Sequence, residues 1–120
     1  MSGTDKQLLV RAYEAFNARD IEGALATMHA EVDWPNGMEG GRVCGHRQVR
    51  EYWKRQFSVL DPRVQLTSIE RSADGRTVAT VRQLVRDLKG NVLSDVTVVH
   101  DYVIANGQIE RMDIRDPQTQ

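Results

Sequence analysis

The sequence predicts an α+β fold, with three N-terminal helices packed on one face of a curved antiparallel sheet. Two observations carry this. Apolar residues recur at helical spacing up to about residue 60. From Val64 onward the pattern changes to runs of β-branched residues, separated by the turn signals Asp74-Gly75, Lys89-Gly90-Asn91 and Asn106-Gly107. Helices first and a meander of strands afterwards favour segregated layers over an alternating α/β arrangement. With 120 residues, no internal repeat and no linker-like stretch, residues 1–120 read as one domain.

The elements follow in order. Thr4 or Asp5 can cap a first helix in which Leu9, Ala12 (or Tyr13) and Phe16 recur at helical spacing. Asn17-Ala18-Arg19 breaks the pattern. Asp20 is the expected second N-cap, with Glu22 favourably placed against the helix dipole and Ile21, Ala24, Leu25 and Met28 as the buried stripe. Residues 31–34 form a short strand that Pro35 ends, because proline cannot donate to a sheet ladder. Gly37, Gly40, Gly41 and Gly45 make residues 36–45 a loop. A third helix over 46–60 has Val49, Trp53, Phe57 and Leu60 on its apolar face and is stopped by Asp61-Pro62. Strands then cover 64–71, 77–88, 92–104 and 108–115, and the tail 116–120 is expected to be loose.

The long strands are mixed on both faces. Val81, Gln83 and Val85 alternate with Arg82, Leu84 and Arg86; Thr97, Val99 and Val103 alternate with Val98, His100 and Tyr102. A sheet with one wet face alternates more cleanly. The second face is therefore expected to be covered in part by another copy of the chain, through positions such as Val85, Val99 and Val103.

Composition excludes several functions. Sixteen basic against seventeen acidic residues, without long like-charge runs, give nucleic-acid binding little electrostatic footing. Cys44 is the single cysteine, so an internal disulfide and a cysteine-cluster metal site are excluded. His29, His46 and His100 fall on different elements without ligand spacing, so no metal is expected. A Cys44–His46 nucleophile would need thiolate activation that a glycine-rich loop does not supply. No apolar stretch approaches the roughly 20 residues of a membrane span, and the start lacks a signal-peptide core, so a cytoplasmic protein is expected.

Four stretches carry a resemblance: Tyr13-Glu-Ala-Phe-Asn-Ala-Arg-Asp20, Val32-Asp-Trp-Pro-Asn-Gly37, Gly45-His-Arg-Gln-Val-Arg-Glu-Tyr-Trp53 and Asn106-Gly-Gln-Ile109. With the layout they sit in, they resemble the nuclear-transport-factor-2-like superfamily. Within it the chain is most similar to small SnoaL-like, ketosteroid-isomerase-like proteins. The resemblance implies a cone-shaped, cystatin-like fold, a hydrophobic pocket inside the bent sheet, and frequent homodimerisation through the outer sheet face. It does not imply one function, since members include isomerases, cyclases, dehydratases, hydrolases and binding proteins. Ketosteroid isomerases use an aspartate base on the first strand and an oxyanion hole of a tyrosine and a protonated aspartic acid. Aligned here, the base position is Trp34, the tyrosine position falls near Ala12 with Tyr13 one residue off, and the aspartic acid becomes His100. Steroid isomerisation by that mechanism is not expected.

His100 is either a satisfied core histidine or a pocket imidazole able to act as acid or base, with Tyr13 or Tyr102 as a hydrogen-bond donor. The expected catalytic pair is His100 and Tyr13. The expected ligand-binding residues are Phe16, Trp34, Trp53, Leu84, Tyr102 and Met112. Asp33 and Trp34 point to opposite faces of one strand, so a pocket-facing Trp34 sends Asp33 outward, whereas a one-residue slip restores Asp33 as a base. Asp113 is expected to pair with arginines outside. Arg82 and Arg86, if inward, would imply an anionic or carbonyl-bearing ligand; a surface ion pair is the commoner case. The functional expectation is cofactor-free acid–base chemistry on a small apolar carbonyl compound, as an isomerase, cyclase or lyase. Non-catalytic ligand binding and a structural dimer are the alternatives.

Overall fold

The computed structural model describes residues 2–115, with side chains from Asp5 onward. Helix α1 (Ser2–Asn17) and the short α2 (Ile21–Leu25) precede strands β1 (Met28–Pro35) and β2 (Arg42–Cys44). Helix α3 (Gly45–Val59) then leads directly into β3 (Leu60–Arg71), β4 (Thr77–Asp87), β5 (Val92–Ala105) and β6 (Gln108–Arg115). The six strands form one sheet in the order β2-β1-β6-β5-β4-β3. All neighbours are antiparallel except β1 and β6, which run parallel. Bulges interrupt the register between Leu66 and Ser68, between Val85 and Arg86, and between Val103 and Ile104. Each extra residue bends its strand, and together they curve the sheet around the helices.

Leu8, Leu9, Ala12 and Tyr13 of α1, Ala24 and Leu25 of α2, and Val49, Tyr52 and Trp53 of α3 pack against Val32, Ala79, Val81, Tyr102 and Ile109 of the sheet. Asp20 caps α2 by accepting a hydrogen bond from the Gly23 N–H at 3.0 Å. The break before it is a left-handed turn at Arg19 (φ 65°), whose guanidinium lies 4.4 Å from the Phe57 ring centroid and pairs with Asp61. The Asn17 side chain makes two hydrogen bonds to the Val64 backbone, 2.8 and 2.9 Å, and so fastens the end of α1 to the edge strand β3.

Several boundaries differ from expectation. Helix α1 starts at Ser2, which puts Asp5 in its first turn instead of at the cap; the Thr4 side chain and the tail 116–120 lie outside the described residues. Met28 opens β1 and does not extend α2, although its spacing from Ala24 and Leu25 fits either element. The glycine loop hides the three-residue strand β2. Pro62 sits inside β3 instead of ending a helix, which an edge strand tolerates because its outward N–H positions need no partner. Phe16 and Phe57 are half-buried against the core, Leu25 and Trp53 fully so. Val85 shares the inner face with Val81 and Gln83, so of the expected dimer positions only Val99 and Val103 are on the outer face. No helix among the described residues is long and apolar enough to cross a membrane.

Candidate functional site

Alternation along β5 sends Val98, His100 and Tyr102 inward, toward the helices. His100 lies opposite Ala79 on β4 and Ile114 on β6, so the small alanine leaves room beside the imidazole. From α1, Tyr13 reaches down onto this strand. Its hydroxyl lies 2.9 Å from Nδ1 of His100 and 2.7 Å from the Tyr102 hydroxyl, and all three groups are buried. The Tyr13 and His100 rings stack with centroids 5.8 Å apart.

Counting protons orders this chain. If Tyr102 donates to Tyr13 and Tyr13 to Nδ1, both phenol protons are used and the imidazole carries its proton on Nε2. The reverse order leaves the Tyr102 proton without an acceptor and Nε2 without a donor, two orphans in place of one. Each buried orphan costs about 1–3 kcal/mol, so the first order prevails. Nε2 of His100 is buried and has no partner among the described residues. Burial pushes the His100 pKa down to about 4, and burial also raises both tyrosines above their ordinary value. At neutral pH the trio is uncharged and ends in one unsatisfied N–H.

Around it is a cavity of about 80 Å³ with aromatic walls. Trp34 and Trp53 meet edge to face at 5.8 Å, Phe16 packs on Trp53 at 5.6 Å, and Trp34 leans on Tyr102 at 6.4 Å. Met112 completes the wall from β6. Tyr13, Phe16, Trp34, Trp53, His100, Tyr102 and Met112 thus meet around one space, although they come from five elements. Leu84 is not among them: it lies on the outer face, opposite Arg63 and Asp95, while its neighbour Gln83 lines the cavity. Sequence reasoning also missed Tyr52 and Gln56, which share a helical face one turn apart beside Trp53; that i, i+4 spacing was the available signal. The Tyr52 hydroxyl accepts the Gly37 N–H at 3.1 Å and so holds the glycine loop against α3.

Among the described residues no charged side chain lines the cavity. Asp33 points outward, as a pocket-facing Trp34 requires, and pairs with Arg42 and Arg111. Asp113 meets Arg111, Arg42 and Arg76, and its hydrogen bond to Arg111 holds its carboxyl below the usual range. Arg82 forms a two-point pair with Asp95 on the outer face, at 2.9 and 2.6 Å, and Arg86 shares that face. His46 bonds the Met28 carbonyl, His29 accepts the Glu31 N–H, and Cys44 is exposed. Among the described residues no three His, Cys, Asp or Glu side chains converge as metal ligands would. A second, wider groove of about 500 Å³ lies between the start of α1 and β3, but its Asp5 and Arg71 satisfy each other at 2.8 Å.

Comparison with known proteins agrees with this architecture. A family model described as SnoaL-like domain matches residues 9–112. TerC, solved after co-crystallisation with polyporic acid, is 29% identical over 92% of this chain and 89% of its own, with a TM-score of 0.80. An NTF2-like protein of unknown function from Burkholderia pseudomallei is 25% identical over 94% and 90%, also at 0.80. RV0760c from Mycobacterium tuberculosis, solved with estradiol-17β-hemisuccinate, shares the fold at 19% identity over 91% and 90%, with a TM-score of 0.77. No curated protein matches the sequence.

Proposed function

The chain belongs to the SnoaL-like domain family, and from that premise we propose that its cavity binds a flat, mostly apolar, uncharged small molecule by a carbonyl or phenolic oxygen. One observation carries the reading: the buried, unpartnered Nε2 of His100, held by Tyr13 beside walls of tryptophan and phenylalanine. An acceptor oxygen of a ligand would relieve that orphan, and the aromatic walls suit a planar body. The uncharged lining favours a neutral compound over an anion. TerC and RV0760c, each solved with a small organic molecule, support ligand binding within this fold.

As an enzyme the protein would be a cofactor-independent isomerase, cyclase or lyase acting on a carbonyl compound. His100 then stabilises negative charge developing on the substrate oxygen through Nε2–H. A role as general base fits poorly, because an imidazole with a pKa near 4 holds an abstracted proton weakly at pH 7. Non-catalytic binding is the second reading. The small cavity favours it, since about 80 Å³ lies well under the roughly 300 Å³ of ordinary ligand pockets. In either case the protein acts as a cytoplasmic homodimer through the outer sheet face, where Leu84, Val99 and Val103 interrupt the charged residues.

The test is a binding screen of aryl ketones and phenols followed by tryptophan fluorescence, with His100→Asn alongside. Asparagine keeps an acceptor near Tyr13 but removes the Nε2 donor. Weaker binding by about tenfold is expected in the variant, and a loss of about 10²–10³ in rate for any compound that is turned over. Equal affinity in both proteins would overturn the assignment of His100.

A further inference from the structure

The inner face of β4 presents Thr77, Ala79, Val81, Gln83 and Val85 in turn; Thr77 is buried opposite Tyr102, and Gln83 is the polar member that lines the cavity. Its cross-strand neighbours are apolar, Val64 on β3 and Val96 on β5. Val96, beside Gln83 on β5 and exposed to solvent, extends that apolar surface beyond the cavity, whereas Ile114 pairs with His100 and lines the cavity from β6. The Gln83 amide is half-buried in this setting and has no hydrogen-bond partner among the described residues. Gln56, the other lining amide, is already engaged with the Tyr52 hydroxyl at 3.3 Å.

Gln83 and His100 are set apart by the register. His100 pairs with Ala79, and Gln83 lies four residues further along β4, about 13 Å at about 3.3 Å per residue. Both side chains point into the concave face and close part of that gap. The two polar ends therefore sit at different register positions along one cavity. Two joined aromatic rings lying along the strand would reach from one to the other.

We propose that Gln83 is a specificity-determining residue that reads a second oxygen function at the outer end of the ligand, whose first oxygen is held by His100. The ligand class is then a two-ring planar compound oxygenated at both ends. This rests on the binding mode proposed above. An amide offers both a donor and an acceptor, so it accommodates a hydroxyl or a carbonyl at that end. The small volume fits the same picture: the part of the cavity beside His100 takes one oxygenated end of the ligand, and the remainder lies along Gln83 and the exposed Val96.

Two probes that differ by one hydroxyl test this, 4-acetylbiphenyl and 4-acetyl-4′-hydroxybiphenyl, titrated calorimetrically into wild type, Gln83→Leu and His100→Asn. Wild type is expected to favour the hydroxylated probe by about three- to tenfold, the effect of one partly exposed hydrogen bond. Gln83→Leu should erase that preference while still binding the simpler probe, and His100→Asn should weaken both probes and keep the preference. A wild type indifferent to the hydroxyl, or a preference that survives in Gln83→Leu, overturns the role of Gln83 and leaves that of His100 intact. Failure of wild type to bind either probe overturns both.

Discussion

Lowering the pH from 7 to 4 should unload a specific part of the protein's stability at His100. In the folded state burial holds the imidazole neutral, with a pKa of about 4 against 6.5 when unfolded. Between those values the unfolded chain binds a proton that the native state refuses. Stability therefore rises with pH across the window and falls as the pH drops through it, flattening below about 4 where both states are protonated. At about 1.4 kcal/mol per pH unit the gap is worth about 3 kcal/mol. Among the described residues no carboxylate or cation lines the cavity to offset it; the groups packed on His100 are the uncharged Tyr13 and Tyr102. Surface carboxylates such as Asp95 and Asp113, held low by arginines, also lose their pairs in acid, so the measurement is a difference. Urea midpoints read by tryptophan fluorescence, at pH 7, 6, 5 and 4, should fall further in wild type than in His100→Asn. The excess should be about 1–3 M for a typical urea dependence. Parallel curves would refute the buried neutral imidazole. A wild type that gains stability relative to the variant as the pH drops would mean that the native site holds a charged one.

Two further outcomes follow from the same geometry. Tyr13→Phe orphans both His100 Nδ1 and the Tyr102 hydroxyl and should cost on the order of 3 kcal/mol, against about 1 kcal/mol for Tyr102→Phe; thermal unfolding showing equal losses would reverse the proton order assigned to the chain. Light scattering should report twice the 13.6 kDa mass for wild type and a 13.6 kDa species for Leu84→Glu, because burying an unpaired carboxylate in the interface costs several kcal/mol; a monomeric wild type at micromolar concentration would end the dimer reading.

The placement of His100, Tyr102 and Trp34 was legible because a strand has a period of two: once Val98 and Val32 belong to the core, their alternate neighbours do as well. Gln83 and Leu84 show where the same rule was overruled. Register groups Gln83 with Val81 and turns the apolar Leu84 outward, so on a strand mixed on both faces one residue's hydrophobicity is a poorer guide than its neighbours' burial. Strand β2 was illegible for a different reason. Three residues carry no periodicity, and Arg42-Val43-Cys44 becomes a strand only because β1 offers it an edge. The position of Pro62 likewise depends on β3 lying at the sheet edge, a property of the assembled sheet that no local pattern carries.

What the sequence left most open was the kind of chemistry the pocket could do, and the distribution of charge narrows it. Asp33, Asp101 and Asp113 form one network with Arg42, Arg76, Arg111 and Arg115 on the outer face. Each of these lies in or beside a strand whose opposite face forms the pocket wall, so the alternation that turns aromatic rings inward also turns the charges out. A base strong enough to remove a proton from carbon would have to come from such a group, and among the described residues none lines the cavity. The remaining instruments are neutral donors in an aromatic-walled site. In the proposed binding mode these would act by stabilising charge on a ligand oxygen, an interaction that burial among apolar side chains strengthens. The proton chain from Tyr102 through Tyr13 to His100 fixes which nitrogen carries that donor. Recognition and any catalysis in this fold would therefore depend on the same N–H, and a substitution that spares it while altering Gln83 should change which ligand is chosen without changing how its first oxygen is held.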